Sequence, residues 1–146
     1  MFENIQKIAR RVSKNIDKVS EKAIKESTID MADMNVNQMM NGLNADGDQI
    51  GEYRSVNYAA FKQRLNPAPP PMTPDLRLTG SFHSGLFAKY TGNDIIFGST
   101  DRKSNDLATK YGANIFGLTE SNQEEIKEGY IFPIITTWLS KELQKI

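Results

Sequence analysis

The stretch KYGANIFGLTESNQEEI (residues 110–126) starts as the end of one helix and finishes as the start of another. Between them the apolar run Ile115-Phe116-Gly117-Leu118 occupies a place where a polar connection is expected. Gly112 is positioned to end the first helix, Gly117 to allow a tight path, and Thr119 to cap the second, with Glu120, Glu124 and Glu125 close to the positive end of its dipole. Such a connector reads as a buried helix-to-helix corner that fixes the angle of the last helix. That helix carries Ile126, Tyr130, Ile134, Trp138 and Leu143 but meets Pro133, which should kink it or split it in two.

Working back from the corner, SNDLATKYG (residues 104–112) has helix formers behind a cap-like Ser104 or Asn105. Residues 76–100 read as β structure. Thr91-Gly92-Asn93-Asp94 supplies the turn of a hairpin with arms at 84–90 and 95–99, and Leu86, Ala88 and Tyr90 alternate to one face, as do Ile95 and Phe97. Residues 66–75 hold five of the six prolines, so this segment should be an extended, stiff surface strap. Residues 55–65 suit a short helix or an irregular segment, with Tyr58, Phe61 and Leu65 spaced to share one face, and Asp46-Gly47 marks a hairpin or exposed turn within 34–54. From Phe2 to about Ser27, apolar residues recur at spacings of three and four, the pattern of one long helix. At about 1.5 Å per residue such a helix approaches 40 Å and should partly overhang a domain of this size, leaving an apolar stripe in need of a partner chain.

A chain of 146 residues suits a single domain spanning 1–146. The expected fold is α+β, with a long N-terminal helix (within 1–30) and a C-terminal helix packed on a small antiparallel β-sheet within 76–146. Eighteen basic residues balance eighteen acidic ones, so no global field favours nucleic acid. The local exception is the first helix, where Lys7, Arg10, Arg11, Lys14, Lys18, Lys22 and Lys25 outnumber Glu3, Asp17, Glu21 and Glu26. With no cysteine, disulfides, thiolate nucleophiles and zinc–thiolate sites are excluded. MFENIQKIARR mixes charges among its apolar residues and so does not read as a signal peptide, and no run approaches the roughly 20 apolar residues of a membrane span.

The chemistry-bearing inventory is sparse. His83 is the one histidine, and it reads as structural; a hydrolase using it is a minor alternative. Aligning NADGD with a calcium loop puts Gly42 and Tyr53 where carboxylates are needed, and the glycines around TGSFHSG do not gather before a helix as a phosphate loop requires. The expectation is no catalytic, cofactor-binding or metal-ligating residues and no enzymatic activity.

Four segments taken in order, QMMNGLNADGDQIGEYR (38–54), DLRLTGSF (75–82), IIFGST (95–100) and LATKYGANIFGLTESNQEEI (107–126), resemble the tail-completion or virion-morphogenesis (head–tail joining) proteins of tailed phages and prophages. In that family a leucine-arginine, threonine-glycine lead-in precedes the hairpin, and a phenylalanine-glycine-leucine corner launches the last helix. The sequence departs from many members after the hairpin, where DRKSNDLATKYG replaces a histidine-containing stretch. The resemblance implies a structural virion protein at the head–tail junction or the head-proximal end of the tail, made in the bacterial host cytoplasm. It implies a ring homo-oligomer, a hexamer or dodecamer, bound to the tail tube, terminator or connector, with DNA passing nearby and no membrane. Two other readings are a tail terminator that caps tube growth and a nucleic-acid-binding module using Arg10, Arg11 and Lys14.

Overall fold

The computed structural model describes residues 2–145. The chain opens with α1, Phe2–Glu26, an amphipathic helix that buries Ile8 and Ala23 and half-buries Val12, Ile16 and Val19. At Ser27 it turns directly into α2, Thr28–Met40. The buried Ser27 amide is shared between the Ala23 and Ile24 carbonyls while its hydroxyl donates to Ala23 O at 2.8 Å, the kind of back-bonding that bends a helix. The first helix ends where its apolar period predicts, whereas residues 34–54 are more than the turn-bearing region expected there. In the structure that region starts as the second half of α2, and the turn comes only after Met40.

The Asp46-Gly47 turn is present. Leu43 and Gln49 bridge across it, and Asn44 Oδ1 accepts from the amides of Asp46 and Asp48. Of the two readings of residues 55–65 the structure has the helix, α3, Val56–Leu65, with Ser55 Oγ capping the Tyr58 amide. The proline segment lies at the surface only in part: Pro67, Ala68, Pro70 and Pro71 are exposed, while Pro69 and residues 73–75 are buried. The β reading of 76–84 is corrected. Arg77 N donates to the Asp75 carboxylate, Leu76 takes a left-handed φ of 59°, and Ser81–Ser84 forms a helical turn, α4, so no ladder can start there.

The hairpin follows as expected, with β1 at Leu86–Tyr90 paired antiparallel to β2 at Ile95–Ser99, Leu86 opposite Ser99 and Tyr90 opposite Ile95. Helix α5, Ser104–Tyr111, ends at Gly112, whose φ of 98° suits glycine. Its N-cap is Lys103, one residue before the expected position, without a capping side chain. A 3-10 turn, Ala113–Ile115, leads through the corner to α6, Glu120–Ile126, where Thr119 Oγ1 accepts from Asn122 N. The interruption expected at Pro133 is one wide turn at Lys127–Ile131, in which Phe132 N donates to Lys127 O, before α7, Phe132–Leu143. Proline lacks the donor that would close a normal turn there.

The architecture is α+β, with long N- and C-terminal helices around a two-stranded antiparallel sheet. α1 packs along α7, and α2 packs on β1. The core has two clusters, one of Met39, Ile50, Leu76, Phe82 and Ile115, the other of Met31, Leu118 and Ile126. α2 spans both, with Met39 in the first and Met31 in the second. The corner does the same: Ile115 enters the first cluster and Leu118 the second, while Phe116 meets the Phe82 ring at 5.8 Å.

Polar side chains of α2 tie the two spanning segments together. Asn35, wholly buried, donates to Ile115 O and accepts from Gly117 N, both at 3.0 Å. Gln38 donates to Gly117 O at 2.9 Å and accepts from Thr119 N at 3.0 Å and Asn122 Nδ2 at 2.7 Å. The backbone groups of a buried connector need partners, and two side-chain amides supply them. The left-handed φ of 119° at Gly117 is what turns its N–H and C=O toward α2.

Candidate docking site

Behind α3, the buried Asp75 carboxylate gathers the end of the proline strap. Lys62 Nζ lies 2.9 Å from Asp75 Oδ1 and also donates to Arg77 O; Asn66 Nδ2 donates to Oδ2 at 3.1 Å, and Arg77 N donates to Oδ1 at 3.0 Å. Burial alone would raise this carboxyl, but the Lys62, Arg77 and Asn66 hydrogen bonds and the Lys62 charge hold it below the ordinary carboxylate range. The left-handed φ of Met72 (68°) and Leu76 (59°) turns the chain inward on either side of Asp75. A non-glycine residue adopts that conformation at a cost of about 1–2 kcal/mol, which the hub offsets.

His83 belongs to the same hub. Its Nε2–H donates to Asp75 O at 2.9 Å, and burial pushes its pKa below the ordinary histidine value, so it serves as a neutral main-chain donor. Tyr53 lies on the other side. Burial first, then the Asp75 charge, raises its phenol to about 12. An absorbance titration should show one tyrosine ionising near pH 12, and the Tyr53→Phe variant should lose that step.

The hub holds residues 74–79 away from α5, and between them opens a cleft of about 410 Å³. Its floor is apolar, from Pro74, Leu76, Phe82 and Leu107. Tyr53, Tyr58 and Tyr111 stand at its sides, Tyr53 and Tyr58 meeting edge to face at 5.2 Å. Arg54, Arg77, Lys103 and Lys110 outnumber the lining acids Glu52 and Asp101. One buried oxygen of Asp101, Oδ2, has no hydrogen-bond partner. Beyond Tyr58 the surface continues over the outer face of α3. Tyr58, Phe61 and Leu65 share that face as the spacing predicts, and it points to solvent; Val56, Leu65 and neighbouring Leu78 are each at least two-thirds exposed. Apolar side chains gathered this way mark a contact surface.

A second unpartnered apolar surface lies at the start of α1. Arg11 Nη1 pairs with Glu142 Oε2 at 3.1 Å, next to the last residue of α7. The first turns of α1 therefore run past the end of α7, and Phe2 (77% exposed) and Ile5 (45%) project on one side of them. Of the basic residues read as a nucleic-acid face, Arg11 is committed to this ion pair, while Arg10 and Lys14 stay exposed. The Glu142 carboxyl is held below its ordinary range by Lys145 and then Arg11.

Among the described residues no three His, Cys, Asp or Glu side chains converge as metal ligands, and no helix is long and apolar enough to cross a membrane. No protein-family model, curated protein or solved structure matches the chain. The α3 face was legible from its spacing. The hub and the cleft were not, because they bring together residues as far apart in sequence as Tyr53 and Tyr111.

Proposed function

We propose that the protein is a structural subunit of a phage virion, without chemistry of its own. It acts at the head–tail junction or the head-proximal end of the tail, where it completes the tail and joins it to the head connector as an oligomeric ring. The observation that carries this reading is the pair of unlike, unpartnered apolar surfaces, the α3–Leu78 face with its cleft and the projecting start of α1. Two different surfaces that pair between copies make a heterologous contact, the kind that builds a ring when the rotation between neighbours closes. The motif order across about residues 36–126 supports placing that ring in the neck of a virion. The stitched corner suits a part that must hold one shape under load, because it locks α2 to the last helices.

The test is deletion of the gene from the phage or prophage that carries it. The expected result is full heads and tails of normal length that fail to join, with joining restored by the purified protein. Tails of uncontrolled length would place the protein at the terminator position. Normal virions from the deletion would overturn the proposal.

A further inference from the structure

The lining of the cleft divides by chemistry. Its floor, from Pro74, Leu76, Phe82 and Leu107, presents no hydrogen-bonding side chain. Around the mouth Arg54, Arg77, Lys103 and Lys110 stand against Glu52 and Asp101, and among the described residues none of these four cations is in an ion pair. The Lys110 ammonium is held at the wall by the Tyr111 ring, 5.2 Å from its centre. The chain as a whole is neutral, so this excess of unpaired cations at one apolar opening is a local feature. Each property narrows the occupant. A group seated on the floor must be apolar, because a buried polar edge, such as that of a nucleobase, would find no partner there. Whatever flanks it at the mouth must be anionic, which excludes the projecting start of α1 with Lys7, Arg10 and Arg11. The volume of about 410 Å³ lies near the small end of ligand pockets, room for a bulky side chain and its neighbouring backbone but not for a helix.

We infer that the cleft between residues 74–79 and α5 receives an extended acidic segment of a partner protein. One large apolar side chain of that segment sits on the floor. In an extended chain the residues two positions to either side point the same way, about 7 Å along from the anchor. Carboxylates there come down on the rim, where the Arg54 and Arg77 guanidinium groups can each take one as a fork and Lys103 and Lys110 add charge from α5. Burial of the anchor supplies affinity, and the rim charges select an acidic segment over a basic one. The outer face of α3, with Phe61 and Leu65, stays free for a neighbouring copy. The contact therefore goes beyond ring assembly and does not depend on it.

The probe is a fluorescein-labelled peptide with phenylalanine at its centre, glutamates two positions to either side and serines between, titrated with the full chain and read by fluorescence anisotropy. One control peptide carries lysine in place of glutamate, the other alanine in place of phenylalanine. The expected result is saturable binding of the acidic peptide, about tenfold tighter than either control, since a charge-assisted hydrogen bond is worth at least that factor. Arg77→Glu and Lys110→Glu alter exposed side chains, so the circular dichroism should stay as in the wild type. Each should weaken the acidic peptide about tenfold, and Arg77→Glu should improve binding of the lysine peptide, which a merely structural effect would not do. Lys89→Glu, exposed on β1 and outside the cleft, makes the same change in net charge and should leave affinity as it is. Equal binding of the acidic and lysine peptides, or no saturation below about 1 mM, overturns the inference. Oligothymidylate that binds more tightly than the acidic peptide, and is lost in the same two variants, assigns the cleft to nucleic acid and overturns it. Self-association by light scattering that those variants abolish, without peptide binding, assigns the cleft to a second copy; that result overturns the inference and leaves the ring proposal standing.

Discussion

Asn35→Ala is expected to lower folding stability by about 2–6 kcal/mol, because it leaves Ile115 O and Gly117 N without their partner and each orphaned buried group costs about 1–3 kcal/mol. At this chain length that corresponds to a melting temperature lower by about 10 °C. The side chain holds a donor toward one backbone group and an acceptor toward the other, so shape alone cannot replace it. Asn35→Asp should also destabilise at neutral pH, since a carboxylate oxygen would then face the Ile115 carbonyl in a wholly buried site. Urea unfolding followed by far-ultraviolet circular dichroism measures both variants. A loss below about 1 kcal/mol for Asn35→Ala would mean that the corner holds its path by apolar burial alone.

Lys62→Met should be comparably damaging at neutral pH. It strands a carboxylate whose side chain is 4% exposed, and breaking a buried pair from one side costs about 3–5 kcal/mol. The pH dependence separates this mechanism from a packing defect. In the wild type the Asp75 carboxyl titrates below its ordinary value of 3.8. The unfolded chain therefore takes up its proton first, and the contribution of Asp75, complete above pH 3.8, is lost as pH falls through the folded value. Removing Lys62 takes away its hydrogen bond and its charge, two of the effects that lower this carboxyl, while burial stays, so the carboxyl should move up. The variant then regains stability on protonation, so its deficit should shrink toward acid pH. Asp75→Asn added to Lys62→Met should likewise recover part of the loss at neutral pH. A deficit independent of pH would locate the effect in packing.

Both predictions concern residues whose importance the sequence concealed, and for the same reason. TIDMADMNVNQMM (28–40) is rich in residues that are indifferent helix formers, and its apolar positions alone trace a ragged stripe. With Asn35 and Gln38 counted as inward-facing, positions 31, 35, 38 and 39 form a regular helical face, and these are the residues α2 buries. Their polarity would argue against burial if their partners were not the backbone of 115–119, some 80 positions away. DLRLTGSF (75–82) misleads in the opposite sense. Its alternation suits a strand, but the carboxylate of Asp75 captures the Arg77 amide and ends any ladder at its first residue.

What the sequence determined was everything carried by short-range pattern. The 3.6-residue period of α1, the turn at 91–94 with its alternating arms, and the Gly112, Gly117 and Thr119 signals of the corner all depend on neighbours within a few residues, and all stand in the structure. Only the tertiary structure decided that Asn35 and Gln38 complete the corner, that Lys62 and Asp75 meet, and that residues 74–79 and α5 leave a cleft between them. The free energy of a buried amide or charge depends on whether a partner is in reach. For these side chains the partner arrives from a distant part of the chain, so their role exists only once the chain has folded.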